Sequence, residues 1–481
     1  MKTLWPLFFQ GIGGGLAAFV MPCIFPLLPL TISFFTKSSS SRFGAITKAL
    51  LYGLSIVVIY CALGLIVTAI LGPSGLNSLA SSAFFNLFIF FLLVLFAISF
   101  FGAFDINLPS GLVNKIDGLS GGQTWIGIFF MAFTLSLVSF SCTAPLVGTL
   151  LFTAVSSGQY YALLAAMVGF STALALPFTL AAIFPSLLKA LPKSGSWLNS
   201  VKVFLGFIEL AAAMKFLSNF DLTYHTEFLN REVFLSIWIA LFTLLGFYLI
   251  GKIKFSHDSD LKHLSVFRFF TALATFSFVA YLIPGLWGAP LKSLSGFLPP
   301  LTSQEFILSQ GGNENSITDT LPAGRKLVNV IKPTVVGFHA FFDYKEGLAY
   351  ARKVNKPVML DFTGHSCVNC RKMEASVWTN PEIKNIINRD YILISLYVDE
   401  KLELPSVDQY TSKITDSKVK TIGNLNSDIE ASKFGTNSQP YYVLLDKNEK
   451  VLGKPRAYDE NLEEYKKFLM EGLQLFHQNQ K

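Results

Sequence analysis

Four cysteines carry the chemistry open to this sequence. Cys367-Val368-Asn369-Cys370 is a C-x-x-C pair. Cys23 and Cys142 form a second, more distant pair. They stand 119 positions apart in PCIFPL and SCTAPL, which share C-x-x-P-L. Paired thiols exchange with disulfides: one thiolate attacks a disulfide sulfur, and the second resolves the mixed disulfide. Two carboxylates flank the C-x-x-C by position, Asp361 six residues before Cys367 and Glu374 four after Cys370. Acidic groups beside thiols raise their pKa and slow attack on the wrong partner. Zinc would need two more ligands, and His365 alone does not complete a site. Haem attachment would need His after the second cysteine, where Arg371 stands. No metal or other cofactor is expected. The fifth cysteine, Cys61, has no proline near it and no counterpart, and reads as packing.

The elements that must hold these thiols are of two kinds. Of the 481 residues, 52% are hydrophobic and 14% charged, against roughly 25% charged in soluble proteins. A multi-pass membrane protein follows. The formal charge of +7 comes from membrane loops, so nucleic acid is rejected as a partner. Apolar runs able to cross ~30 Å of hydrocarbon fall near 8–35, 46–71, 83–104, 124–155, 160–184, 201–220, 233–251 and 266–287. The start, MKTLWPLFFQG, reads as a retained helix rather than a removed signal.

Loop charges set the orientation. Lys37, Arg42, Lys48, Lys115, Lys189, Lys193, Lys252, Lys254, Lys262 and Arg268 lie on one side, against Lys215 and Arg231 on the other. The positive-inside rule puts the first set in the cytoplasm and both termini outside. Spans 1–3 and 4–6 are then inverted copies, with Cys23 and Cys142 at matching mid-membrane places. Pro22, Pro26 and Pro29 break the first span, and such backbone is tolerated only where it is buried in protein or lines a wet cavity. Glu209 is an intramembrane carboxylate and a functional candidate by default.

Residues 288–333, rich in Gly, Pro, Ser and Asn, read as a flexible linker. Beyond them, 334–481 carries an α/β pattern. Helices are expected at Tyr344–Asn355, from the C-x-x-C onward, at Asp428–Phe434 and at Glu460–Phe476. Strands are expected at Val358–Phe362 and Ile392–Val398, with a hairpin over Tyr441–Asp446 and Lys450–Lys454. A polar insertion fills 400–425. A C-x-x-C between strand and helix reads as a thioredoxin-like redox pair. Its first thiol sits at a helix N-terminus, where the dipole and free N–H groups favour thiolate. Gln439-Pro440 stands where this fold places a cis-proline beside the cysteines. The fold class is thus an all-α membrane domain of eight helices over 1–287, followed by a soluble α/β thioredoxin-fold domain.

At this point the chain resembles the DsbD family of transmembrane thiol:disulfide interchange proteins. The resemblance rests on MPCIFPLLPLTISFF, FSCTAPLVGTLL, WLNSVKVFLGFIELAAAMKFLS and DFTGHSCVNCRKME. The membrane part also resembles CcdA, the smaller relative used in cytochrome c maturation. The resemblance implies a protein-disulfide reductase of the bacterial inner membrane. Cytoplasmic thioredoxin would reduce Cys23 and Cys142, which would reduce Cys367 and Cys370 on the periplasmic side. Acceptors would be separate periplasmic thiol-disulfide proteins, including apocytochrome c maturation factors. Asp361 and Glu374 match acidic positions that tune the family's C-terminal thiols. Family members usually carry an N-terminal periplasmic domain with its own cysteines, and residue 1 here stands at the first span. The alternative is a small-solute transporter with a tethered redox sensor, motivated by the inverted repeat and Glu209.

Overall fold

A computed structural model of the chain describes residues 4–19, 42–104, 160–183, 195–305 and 326–480. Within these, 257, 259–262, 328–330, 332–334 and 415–416 are left out, while 129, 132, 133 and 136 are added. Cys23 and Cys142 lie outside the described residues. The helices are α1 (Leu4–Phe19), α2 (Arg42–Ala80), α3 (Ala83–Phe100), α4 (Tyr160–Ile183), α5 (Gly195–Tyr224), α6 (Arg231–Leu249) and α7 (Val266–Leu282). They fall on seven of the eight expected spans, and the remaining one, 124–155, is described at four positions only. Four described stretches are long and apolar enough to cross a membrane: Ile46–Ile66, Ala83–Phe100, Arg231–Leu249 and Val266–Trp287. The chain is a multi-pass membrane protein by these segments.

The chain divides into two compact units. The first takes in residues 1–80, 88–213 and 251–265. Here α1 and α4 touch backbone to backbone. A Cβ on Gly11 would lie 2.2 Å from the Ala166 carbonyl oxygen, and one on Gly15 2.3 Å from that of Phe170. From the other side, a Cβ on Gly169 would lie 2.3 Å from the Phe8 carbonyl oxygen. Lipid supplies no hydrophobic drive between helices, so small residues that admit such close approach supply the packing instead. Glu209, on α5, is fully buried, and neither carboxylate oxygen has a hydrogen-bond partner.

The second unit takes in residues 81–87, 214–250 and 266–481. After α7 the chain makes three 3-10 turns, Ile283–Trp287, Lys292–Leu294 and Leu301–Ser303. The buried Arg231 pins them, its Nη1 donating to the Pro299 carbonyl at 2.6 Å and its Nη2 to that of Ala289 at 3.3 Å. Gln304 Nε2 closes the segment on the Leu286 carbonyl at 2.7 Å. In the stretch expected as linker, the Gly and Pro residues up to 305 therefore form turns with tertiary anchors.

The α/β part runs β1 (Ala340–Phe341), α8 (Tyr344–Val354), β2 (Val358–Thr363), α9 (Val368–Met373), a π-turn (Glu374–Trp378), α10 (Pro381–Asp390) and β3 (Ile392–Tyr397). It continues with the short β4 (Tyr410–Thr411) and β5 (Lys418–Val419), α11 (Ile422–Phe434), β6 (Tyr441–Leu445) and α12 (Leu462–Gln478). The main sheet has the order β1-β3-β2-β6. β2 pairs with β3 in parallel and with β6 antiparallel. Strand alternation sends Val358, Leu360 and Phe362 into a core with Tyr344, Leu348 and Ala351 of α8. Met359 lies in the opposite core with Met373, Val377, Trp378, Ile387 and Phe468. Both sheet faces are covered, which is why the strands read as continuous apolar runs.

The 400–425 stretch is less irregular than expected. It holds the β4–β5 hairpin, and α11 begins at Ile422, capped by a reciprocal Thr421–Asn424 box. Helix α10, with Asn380 as its cap and Pro381 at its first turn, and strand β1 were not expected from the sequence.

Gly11→Ala, Gly15→Ala and Gly169→Ala should each lower the melting temperature of the detergent-solubilised protein, since overpacking costs about 1–3 kcal/mol. Gly13→Ala is the control, because a Cβ there meets nothing within 4 Å.

Candidate dithiol site

The parallel register of β2 and β3 builds the site. Thr363 lies opposite Tyr397, so the chain leaves both strands at the same end of the sheet. After β2 comes the turn Gly364-His365-Ser366, and after β3 come Val398, Asp399 and Glu400. The Asp399 carboxylate accepts from the His365 N–H at 2.8 Å, the Ser366 N–H at 3.0 Å and the Ser366 hydroxyl at 2.8 Å. Gly364 leaves room for it: a Cβ there would lie 3.0 Å from Asp399 Oδ2.

That turn delivers Cys367 to the N-cap of α9, where its Sγ accepts from the Cys370 N–H at 3.1 Å. Cys367 and Cys370 are joined by a disulfide. Cys367 is half-buried and Val368 exposed, while Cys370 is 1% exposed. The accessible sulfur is the one a partner can reach, and the inner one is placed to resolve. Gly296, between the second and third 3-10 turns, lies against Val368: a Cβ there would sit 2.7 Å from Val368 Cγ1.

Asp361 and Glu374 are both buried, with different surroundings. Glu374 pairs with Arg371 Nη2 at 2.8 Å, and the same nitrogen donates to the Gly364 carbonyl at 3.3 Å. Asp361 has the Ser395 hydroxyl at 3.2 Å. Burial, and next the charge of Glu374, push Asp361 up from 3.8 to about 8, against the opposing pull of Ser395 and Arg371. Pro440 follows a cis peptide bond from Gln439. The loop before it is held by the buried Glu430, which accepts from the Ser438 N–H and from Gln439 Nε2, both at 2.7 Å. Burial pushes Glu430 up to about 8, the two hydrogen bonds opposing it.

A second polar cluster adjoins the turn. Glu400 Oε2 meets His365 Nε2 at 3.0 Å and His225 Nε2 at 2.9 Å. Burial alone would push the Glu400 carboxyl up, but the hydrogen bonds and charges of the two imidazoles hold it well below the usual carboxylate range. The sequence left His365 without co-ligands, and the fold supplies two. His225 and Glu400 are 175 positions apart, so no spacing rule would have joined them. Arg371, Asp399, Glu400 and Glu430 were likewise missed as site residues. The one usable signal for Asp399 was its place directly after a strand neighbouring the one that leads to the C-x-x-C.

A redox dithiol on a thioredoxin-like α/β domain, carried by a multi-pass helical membrane domain, is the class this architecture defines. Residues 4–220 match the family described as Cytochrome C biogenesis protein transmembrane domain, and residues 338–446 match the Thioredoxin-like family. The Thiol:disulfide interchange protein DsbD of Vibrio vulnificus is 28% identical over 386 residues, covering 79% of this chain and 56% of that protein. The DsbD of Haemophilus influenzae is 28% identical over 388 residues, with 79% and 58% covered. DsbD 2 of Pseudomonas aeruginosa is 28% identical over 387 residues, with 78% and 58% covered. A solved structure titled DsbH Oxidoreductase is 18% identical, covering 29% of this chain and 87% of its own, with a TM-score of 0.23. The chain is DsbD-like, and it spans 56–58% of the length of these curated relatives.

Asp399→Ala strands three donors of the turn, at about 1–3 kcal/mol for each group left unpaired inside. It should lower the unfolding midpoint and slow alkylation-monitored reduction of Cys367–Cys370. Asp361 sets a pH dependence. The folded protein binds more protons than the unfolded chain between 3.8 and about 8. Its contribution to stability is therefore full below about pH 4 and lost as pH rises through about 8. Asp361→Asn should flatten that part of the stability–pH curve, with Glu430→Gln removing the share of Glu430.

Proposed function

We propose that this chain is a membrane protein-disulfide reductase that moves two electrons outward across the bacterial inner membrane. The observation that carries the reading is the Cys367–Cys370 pair at the start of α9, outer sulfur accessible and inner sulfur buried, in a DsbD-like chain. In the reduced pair, the Cys367 thiolate attacks a disulfide of the acceptor and releases one acceptor thiolate. Cys370 then attacks Cys367 Sγ and expels the acceptor's second thiolate. The acceptor leaves as a dithiol, and Cys367–Cys370 is left oxidised. The Cys23/Cys142 dithiol reduces it again, becoming a disulfide itself, and cytoplasmic thioredoxin restores that pair. No flavin, haem or quinone takes part.

The acceptors are separate periplasmic thiol-disulfide proteins, among them cytochrome c maturation factors. The ten-to-two loop charge bias supports a periplasmic position for both termini and for the dithiol domain. Asp361, pushed up to about 8 by burial and next by the charge of Glu374, is with Glu374 a group that tunes the thiols. A second reading, solute transport with a tethered redox sensor, is favoured by the partnerless Glu209 carboxylate in α5.

Thiol trapping in cells tests the conduit. With thioredoxin present, Cys367–Cys370 should be trapped largely as dithiol. Without thioredoxin, or in Cys23→Ala, it should be trapped as disulfide. A pair that stays reduced in Cys23→Ala would end this reading and leave the transporter.

A further inference from the structure

We propose that His225, His365 and Glu400 form a binding site for a divalent cation of the zinc type. The three residues come from separate places: the loop after α5, the turn before Cys367 and the residue after Asp399. Their ligand atoms lie within 4.8 Å of one another, and two of the three residues are buried. Two imidazole nitrogens and one carboxylate oxygen are a donor set that zinc takes, with a fourth position left for water.

Each ligand atom is held before any ion arrives. Glu400 Oε1 accepts from the Leu402 N–H at 3.0 Å, which leaves Oε2 turned to the imidazoles. The His365 ring stacks on Tyr397 with centroids 4.1 Å apart, fixing its plane, and the His365 backbone N–H is tied to Asp399. The His225 backbone adopts φ +52°, the left-handed region. Its loop is braced by Asp221, which accepts from the Thr226 hydroxyl at 2.6 Å, the Phe228 N–H at 3.0 Å and the Leu229 N–H at 3.3 Å. Non-glycine residues held at positive φ cluster at functional sites.

The distances fit. Bonds of about 2.0–2.1 Å at tetrahedral angles put neighbouring ligand atoms roughly 3.3 Å apart. The two imidazole-to-carboxylate separations are 2.9 and 3.0 Å, so each imidazole needs to draw back from the carboxylate by only a few tenths of an ångström, and the two imidazole nitrogens lie within 4.8 Å of each other. The nearby Asp399 carboxylate is already committed to three donors and does not compete. Bound metal would tie the loop between α5 and α6 to the turn that presents Cys367, independently of which protein that thiol serves.

The test is a Co²⁺ titration of the full-length protein in detergent, with Cys367–Cys370 oxidised. One equivalent should bind with the visible d–d bands of a low-coordinate site and without a thiolate-to-cobalt charge-transfer band. His225→Ala, His365→Ala and Glu400→Gln should each weaken binding by more than about tenfold, since even outer-sphere changes cost 10–100-fold. His225→Ala lies in a loop outside the thioredoxin-like fold, so its loss is not a folding failure, and an unchanged melting curve checks this. Cys367→Ser with Cys370→Ser should bind as the parent does. Absence of stoichiometric binding, binding unchanged in Glu400→Gln, or binding abolished only by the cysteine substitutions would each overturn the proposal. The first would leave a hydrogen-bonded cluster, and the last would mean chelation by the dithiol.

Discussion

One carboxylate organises the dithiol end of the molecule. Asp399 receives two backbone N–H groups and a hydroxyl from the turn that precedes Cys367. Hydrogen bonds to a charged acceptor contribute about 1.5–3 kcal/mol each. This set fixes the backbone just before a thiol whose reactivity depends on its place at a helix start. The clamp exists because β2 and β3 run in parallel and in register to their last residues. Slip that register by one residue and the side chain after β3 points to the other face of the sheet. The helix, the accessible sulfur and the imidazole of His365 all inherit their positions from that pairing.

The acidic residues around the thiols divide by partner. Glu374 faces a guanidinium, and Asp361 faces a hydroxyl. The buried Asp361, with a hydroxyl as its hydrogen-bond partner, is pushed toward its neutral form. Glu430 repeats the second case farther along, where it holds the loop before the cis-proline through two donors. These groups are buried and polar, and their partners are specific, so each constrains one segment of backbone rather than adding general cohesion.

Much of this was legible in the chain. The C-x-x-C, the apolar runs of β2, β3 and β6, and the amphipathic patterns of α8 and α12 all report local physics, and local physics is written in consecutive residues. Helix α10 escaped because its charged face outweighed the three buried isoleucines, Ile383, Ile386 and Ile387. The start of α11 escaped because Thr421 and Asn424 read as insertion residues until their reciprocal cap is seen. Arg371 was noted only as the residue excluding haem, and its pairing with Glu374 depends on both being buried. The grouping of His225 with His365 and Glu400 depends on tertiary contact over 175 positions and has no sequence period at all. Cys23 and Cys142, the clearest sequence echo, lie outside the described residues.

The contact between α1 and α4 has an evolutionary consequence. Where Gly11, Gly15 and Gly169 meet carbonyl oxygens, the interface is main chain against main chain. Side chains can be exchanged in compensating pairs, one growing as its neighbour shrinks. A peptide carbonyl has no smaller version. Each of these three positions is therefore closed to every single-step drift that adds a carbon, while Gly13, two residues from both Gly11 and Gly15, stands open. Variation in this helix pair is expected to accumulate in the lipid-facing residues and to stop at the glycines.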